Sequence, residues 1–324
     1  MRSTVISILL LFIGYIVALF AWRRLRLRRA LYMLRKQVIW SIKHAPRDKF
    51  VLEVGSGNNP HLRADMLCEK YIYDDLHRGA GVATDRPLVA GDASALPFKT
   101  GIFDIIISNH VIEHLEDPGS FFQEAGRVAD SGLFITPNAL AERIQSFGTH
   151  LWLITQKGDT LHFAAKKQRI IDPTLHRFFN NEVMSSLLKL DNFSLDHWDS
   201  LNITYSWTGQ PECVVEGEPN VSSTDGFVQA STVEPTVTHK PMGLESLRAF
   251  LKKWVRITIH ALFSSHYKVD WVDILACPKC HRDVSVSTSK VYCPACELRF
   301  PIERGIPIML LDHAVAGSNP LRYD

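Results

Sequence analysis

FVLEVGSGNNP (residues 50–60) and FDIIISNHVIEHLEDP (103–118) decide the fold of this chain. The first is a short apolar run that ends in an acid, Glu53, and enters a Gly-x-Gly turn at Gly55 and Gly57. An apolar run without alternation is what a buried parallel strand looks like. Glycines after it let the backbone turn tightly and approach a ligand. The second stretch is another such run, ending at Asn109 and His110. Between and after them come ADMLCEKY (64–71), GDASALPF (91–98) behind the apolar pair Leu88–Val89, and LFITPN (133–138). Successive buried strands of this kind predict an α/β, doubly wound sheet. The stretch between Gly57 and ADMLCEKY is too short for a full helix, so none is expected there. In open α/β sheets ligands lie beyond the carboxyl ends of the strands, which puts Ser108, Asn109 and His110 at a binding edge.

This ordered set covers roughly residues 48–140 and resembles the class I S-adenosylmethionine-dependent methyltransferases. The resemblance implies a Rossmann-like sheet and S-adenosylmethionine as cofactor. It implies that Glu53, Gly55 and Gly57 line the methionine end. Glu69 would take the ribose hydroxyls, for which Asp74 and Asp75 are rivals. Asp92 would take the adenine amine and Ala93 a ring nitrogen through its amide, while Leu96 and Phe98 give apolar contact or core. Asn109 would lie near the sulfonium. A carboxylate suits a vicinal diol because it offers two acceptor oxygens. A nicotinamide-dinucleotide fingerprint fits less well. It wants a third glycine where Pro60 stands, and gives no place to GDASALPF or to FDIIISNHVIEH.

His110, Glu113 and His114 fall at i, i+3 and i+4, the spacing of one helical face. Two readings stay open. One is general base chemistry by His110 or His114; the other is a structural helix start. A metal reading of His-x-x-Glu-His is not what the resemblance implies. Residues 139–167 should contribute to the substrate side, where His150, Trp152 and His162 are either pocket residues or packing. The resemblance implies in-line methyl transfer, in which the enzyme mainly positions the reactants.

At 324 residues the chain can hold one full α/β domain with additions, and its net charge of +2 is too small to argue for nucleic acid. Residues 5–22 are uncharged and almost wholly apolar, and Arg23, Arg24, Arg26, Arg28 and Arg29 follow. Eighteen helical residues rise about 27 Å, near the lower limit for spanning the hydrocarbon core. The arginines after the run predict a single-pass anchor with the catalytic domain in the cytoplasm. A secretory signal would carry its charge before the apolar run. Residues 23–45 read as a basic juxtamembrane helix. Residues 208–244 read as a linker or mobile loop, rich in Gly, Pro, Ser and Thr, and 245–270 as an amphipathic helix. The methyltransferase domain is expected over 46–207.

Four of the six cysteines form CPKC (277–280) and CPAC (293–296), twelve residues apart. Two C-x-x-C knuckles can place Cys277, Cys280, Cys293 and Cys296 around one zinc ion. Clustered thiols in a chain with few others also argue for metal and a reducing compartment. The segment from about 273 to 316, including PIERGIPIML, resembles the small zinc-ribbon activator protein of tRNA and release-factor methyltransferases. That resemblance implies a module (271–316) that packs on its own methyltransferase domain. The Asn/Asp-Pro-Pro-Tyr-like loop of the activator's partners is replaced here by Ser-Asn-His-Val, which disfavours adenine or glutamine nitrogen as acceptor. The expected function is thus O- or C-methylation of a small-molecule, lipid-linked or glycan acceptor at the membrane. The alternative is a catalytically silent membrane adaptor that recruits a partner through its ribbon.

Overall fold

The computed structural model describes residues 35–36, 39–40, 43–73, 81–144, 146–166, 172–183, 193, 196–219, 257–258, 260–261 and 269–317. Among them no helix is long and apolar enough to cross a membrane. The expected anchor at 5–22, most of the basic segment 23–45, Asp74 and Asp75, residues 220–244 and nearly all of 245–270 lie outside the described residues.

The chain opens its main sheet with β1 (Val51–Val54), β2 (Met66–Glu69), β3 (Leu88–Ala90), β4 (Phe103–Asn109) and β5 (Ala129–Pro137). β8 (Asn202–Thr208) completes it. The order is β3-β2-β1-β4-β5-β8, parallel throughout except for the antiparallel β5–β8 pair. All residues of β1, β2 and β3 are buried, as a sheet covered on both faces demands. Strand order, not direction, reverses at β1, with β2 and β3 on one side and β4 and β5 on the other. Register sets Val54 beside both Cys68 and Ser108, and Glu69 beside Ala90, so four strands end at one level.

No helix joins β1 to β2, as the short spacing predicts. Two buried arginines hold the irregular loop instead. Arg63 pairs with Asp65 at 2.6 Å and donates to the Ala45 and Pro46 carbonyls. Arg86 donates to the carbonyls of His61 and Ala64. A guanidinium has enough donors to satisfy several loop carbonyls at once.

The helix expected to begin at His110 does not. His110 has φ of 55°, outside the right-handed helical region, and only a single 3-10 turn follows at Ile112–His114. The helix α1 (Pro118–Val128) starts later, with Asp117 accepting from the Ser120 amide as its cap. Proline fixes φ at a first helical position and disfavours helical backbone just before it, which moves the start to 118. Phe121, Phe122, Ala125 and Val128 bury one face of α1 against β5 and its neighbours. Glu124 and Arg127 on the same helix hold the 92–98 loop, accepting from the Leu96 amide at 2.7 Å and donating to the Phe98 and Leu96 carbonyls.

After α2 (Ala139–Ile144), β6 (Trp152–Lys157) and β7 (Thr160–Ala165) form a hairpin. β9 (Glu212–Glu216) lies parallel to β7. This corrects the expectation of a linker from residue 208: its first part is a strand. The signal was masked by Gly209 and Pro211, which punctuate the β8–β9 turn. The short helices α3 (Pro173–Phe178) and α4 (Trp198–Leu201) lie between β7 and β8.

The carboxyl-terminal module runs from α5 (Trp271–Ile274) through β10 (Ser285–Val286), β11 (Lys290–Cys293), β12 (Leu298–Glu303), β13 (Ile306–Pro307) and β14 (Val315–Ala316). It packs on the main sheet. Ile308 bridges Ala90 in parallel, and the Met309 amide donates to the Ala90 carbonyl at 2.8 Å, so the module covers the β3 edge. A second seam joins Leu275 to Phe98, with Ala276 donating to Pro97 and Lys99 to Ile274. Leu275, Cys277, Val291, Phe300 and Met309 share one apolar core with Phe98 and Phe103.

Candidate active site

The carboxyl ends of β1, β2, β3 and β4 bring the predicted cofactor residues to one edge. The glycine turn is as expected in shape, with φ of 73° at Gly55 and 57° at Gly57. Its amides are used differently from the expectation. Gly55 donates to the Cys68 carbonyl at 2.9 Å, and Gly57 donates to Glu69 Oε1, which also accepts from the Ser56 hydroxyl at 3.1 Å. Glu69 therefore organises the turn while standing at the end of β2, where a diol would lie. A carboxylate has about four lone-pair positions, so these contacts do not exhaust it.

Glu53 is turned into the loop, where its Oε2 accepts from the His61 amide at 2.7 Å. Burial raises its pKa to about 8 against the pull of that bond and of Arg86. Asp92 accepts from the Ser94 amide at 2.9 Å and pairs with Lys70 at 2.7 Å. Burial would raise its carboxyl, but the Lys70 and Ser94 contacts outweigh that and hold it low. Ala93 is buried and Asn109 is exposed at the end of β4. Ser108 Oγ is buried in the same strand with no hydrogen-bond partner among the described residues. The orphaned Ser108 hydroxyl and the Glu69 and Asp92 carboxylates at this edge fit the polar groups of S-adenosylmethionine.

His110 and Glu113 do meet, although not along a helix. His110 Nδ1 lies 3.1 Å from Glu113 Oε1, and Thr136 donates to Glu113 Oε2 at 3.1 Å. Glu113 is fully buried, whereas 41% of the His110 side chain is exposed. Burial alone would raise Glu113, yet the His110 bond and the charges of His110, His114 and His150 outweigh it and keep the carboxyl low. The Trp198 ring stands edge-on to His110 at 6.2 Å. A carboxylate at Nδ1 fixes the proton there and leaves Nε2 as the basic nitrogen.

His114 and His150 adjoin, with rings 4.7 Å apart. Trp152 is buried with its Nε1 donating to the Leu115 carbonyl, so it packs rather than lining a pocket. His162 is half-buried on β7, opposite Thr155. Thr136, Glu142, Lys166 and Trp198 also belong to this region, although nothing in their local sequence distinguishes them from their neighbours. A buried Glu142–Lys166 pair, at 2.8 Å, is visible only once the 139–166 segment has folded back.

The four ribbon cysteines gather as spaced. Cys277, Cys280, Cys293 and Cys296 offer sulfurs within 4.8 Å of one another, a donor set that fits one zinc ion.

Residues 52–136 match the model of the family described as Methyltransferase domain, and residues 270–305 match that described as Trm112p-like protein. The chain carries a methyltransferase domain followed by a Trm112p-like domain. Over 64 residues the chain is 49% identical to ajmaline N-methyltransferase of Rauvolfia serpentina, covering 20% of this chain and 22% of that protein. Over 127 residues the chain is 32% identical to malonyl-[acyl-carrier protein] O-methyltransferase of Geobacter sulfurreducens, covering 39% and 44%. It thus spans less than half the length of either curated relative. Among solved structures, a complex containing the Haloferax volcanii Trm112 methyltransferase activator matches 56% of this chain and 97% of that one, at 10% identity and a TM-score of 0.31.

Proposed function

We propose that this protein is a membrane-anchored S-adenosylmethionine-dependent methyltransferase acting on a hydroxyl or carbon of a small-molecule, lipid-linked or glycan acceptor at the cytoplasmic face. The observation that carries the reading is the His110–Glu113 pair at the carboxyl end of β4, in the same methyltransferase domain as the glycine turn and Glu69. When bound, S-adenosylmethionine supplies a methyl group on a positively charged sulfur. Glu69 would hold its ribose, Asp92 and the Ala93 amide its adenine, and the turn from Glu53 to Gly57 its methionine end. His110 Nε2 takes the proton of the acceptor hydroxyl, and ionised Glu113 stabilises the resulting imidazolium through Nδ1.

A hydroxyl is a poor nucleophile until its proton leaves, whereas a neutral amine attacks without a base. A buried carboxylate backing a half-exposed imidazole is therefore better matched to oxygen than to nitrogen. Asn109 and Trp198 border the place where the acceptor would stand. The anchor rests on the uncharged run at 5–22 followed by five arginines. The four cysteines would hold zinc and keep the Trm112p-like domain folded against the sheet.

Calorimetry with S-adenosylmethionine on the full-length chain tests the first step. Glu69→Ala and Asp92→Ala should each weaken binding by about 1.5–3 kcal/mol, the worth of hydrogen bonds to a charged group. Unchanged affinity in the double variant would end the assignment. Incubation with labelled cofactor and either membrane lipid extract or soluble metabolites should place label in the lipid fraction. Carbonate washing of membranes should leave the protein behind; release by salt alone would remove the spanning helix from the reading.

A further inference from the structure

We propose that Glu113, His114 and His150 form a second metal site, separate from the cysteine ribbon, for a divalent cation that favours imidazole ligands. These three residues offer a carboxylate oxygen and two ring nitrogens within 4.8 Å of one another. Their union is built by the backbone. The Leu151 amide donates to the Glu113 carbonyl at 2.8 Å, and Trp152 Nε1 donates to the Leu115 carbonyl at 2.7 Å. These bonds clamp the segment bearing His150 against the turn bearing Glu113 and His114.

The surroundings of the two rings are those that metal-bound histidines need. His114 Nδ1 lies 2.9 Å from the Thr149 carbonyl, and His150 Nδ1 contacts Glu142 Oε1. An acceptor at Nδ1 keeps the proton on that nitrogen, which makes Nε2 the basic atom of each ring and fixes the ring plane. Glu142 is itself held by Lys166 at 2.8 Å, and Lys166 also donates to the Phe147 carbonyl at 2.6 Å. The buried charged groups here are Glu113, Glu142 and Lys166, two anions against one cation. A divalent ion would offset the excess. His114 is exposed, which leaves an entry path from solvent. Glu113 already contacts His110 and Thr136 through different oxygens, and a carboxylate accommodates further contacts.

Two imidazoles and one carboxylate suit zinc, cobalt, nickel or iron(II), and they leave coordination positions for water or an oxygen ligand. Occupancy of this site does not depend on methyl transfer, so its test stands apart from the proposed reaction.

The test uses the full-length, zinc-loaded chain titrated with Co²⁺. The expected result is one cobalt bound beyond the ribbon zinc, with visible d–d absorption and no thiolate-to-cobalt charge-transfer band. His114→Gln and His150→Gln should each lose this equivalent and keep the ribbon zinc. Thermal unfolding of both variants establishes that they are folded. A wild-type chain that takes up no cobalt beyond its zinc overturns the proposal, whatever the variants do. So does a second equivalent that shows the thiolate band, or one that persists undiminished in both folded variants.

Discussion

Val111 stands where a side chain on Gly55 would have to go. A Cβ at Gly55 would meet Val111 Cγ2 at 2.2 Å, and the Gly55 backbone has φ of 73°. A residue two positions past the end of β4 thereby locks the turn following β1. Two separate penalties follow for Gly55→Ala. The left-handed backbone costs about 1–2 kcal/mol for a residue with a Cβ, and the clash with Val111 adds to it. Urea unfolding of Gly55→Ala, Val111→Ala and the double variant separates them. The double variant should be more stable than the sum of the single effects allows, because trimming Val111 removes the clash and leaves only the backbone penalty. Strict additivity would show that the two residues are not in contact.

The His110–Glu113 pair makes a kinetic prediction. His110→Ala should lower kcat by roughly 10²–10⁴, the usual contribution of a positioned base. Affinity for S-adenosylmethionine should hardly change, because in the proposed reaction His110 acts on the acceptor. Glu113→Gln should keep the ring in place but weaken its support, with a smaller loss in kcat and a shifted acid limb of the pH–rate profile. A His110→Ala enzyme within about threefold of wild type would remove the base from the mechanism.

Glu53 and His61 predict a pH dependence of stability with a flat top. Burial raises Glu53 from an ordinary 4.5 to about 8. The native state thus holds a proton that the unfolded chain gives up, so this group favours folding at low pH and the benefit is lost as pH rises from 4.5 to about 8. Burial, with Arg86 and Arg63 nearby, lowers His61 from 6.5 to about 3, and the opposite holds: stability is lost as pH falls from 6.5 toward 3. The two slopes cancel between 4.5 and 6.5. Above 6.5 only the Glu53 decline remains, worth about 2 kcal/mol by pH 8. Denaturant titrations of wild type and Glu53→Gln check this. The difference between the two should change across pH 6.5–8; a constant difference would show that Glu53 ionises normally.

The ribbon and the sheet share one core, so metal loss should propagate. Chelating zinc should unfold the module and lower the midpoint of the whole methyltransferase domain, since Leu275, Phe300 and Met309 belong to the same apolar core as Phe98 and Phe103. Met309→Pro removes both the donor to the Ala90 carbonyl and the buried Met309 side chain. It should destabilise by more than the roughly 1–3 kcal/mol of the lost hydrogen bond alone while the four cysteines stay in place. Metal analysis alongside calorimetry distinguishes the two routes. An unchanged domain midpoint after zinc removal would mean that the two parts are energetically independent.

The strands of the methyltransferase domain were legible because each is a nearly unbroken apolar run, and the four cysteines because metal chemistry fixes their spacing. The i, i+3, i+4 spacing points to a helix start at His110 but says nothing about φ. His110 adopts a left-handed conformation that its side chain alone does not announce, and Pro118 outweighs the pattern before it. Glu53, Gly55 and Gly57 lie at the carboxyl end of β1; Gly55 and Gly57 bond Cys68 and Glu69, partners set by the register of β1 against β2, and Glu53 bonds His61 within the following loop. Glu142, Thr149 and Lys166 carry no local signal, because they meet His150, His114 and Glu142 respectively only once the 139–166 segment has folded back.

The strand-like segment at Ile308–Met309 reaches the β3 edge from within the same chain. Its docking is therefore a first-order event, governed by the effective concentration that the tether imposes, which for flexible tethers is of millimolar order. A separate subunit bound through the same few contacts would dissociate on dilution. Here the edge stays covered at any protein concentration, and no supply of a second polypeptide can limit how much of the sheet is closed.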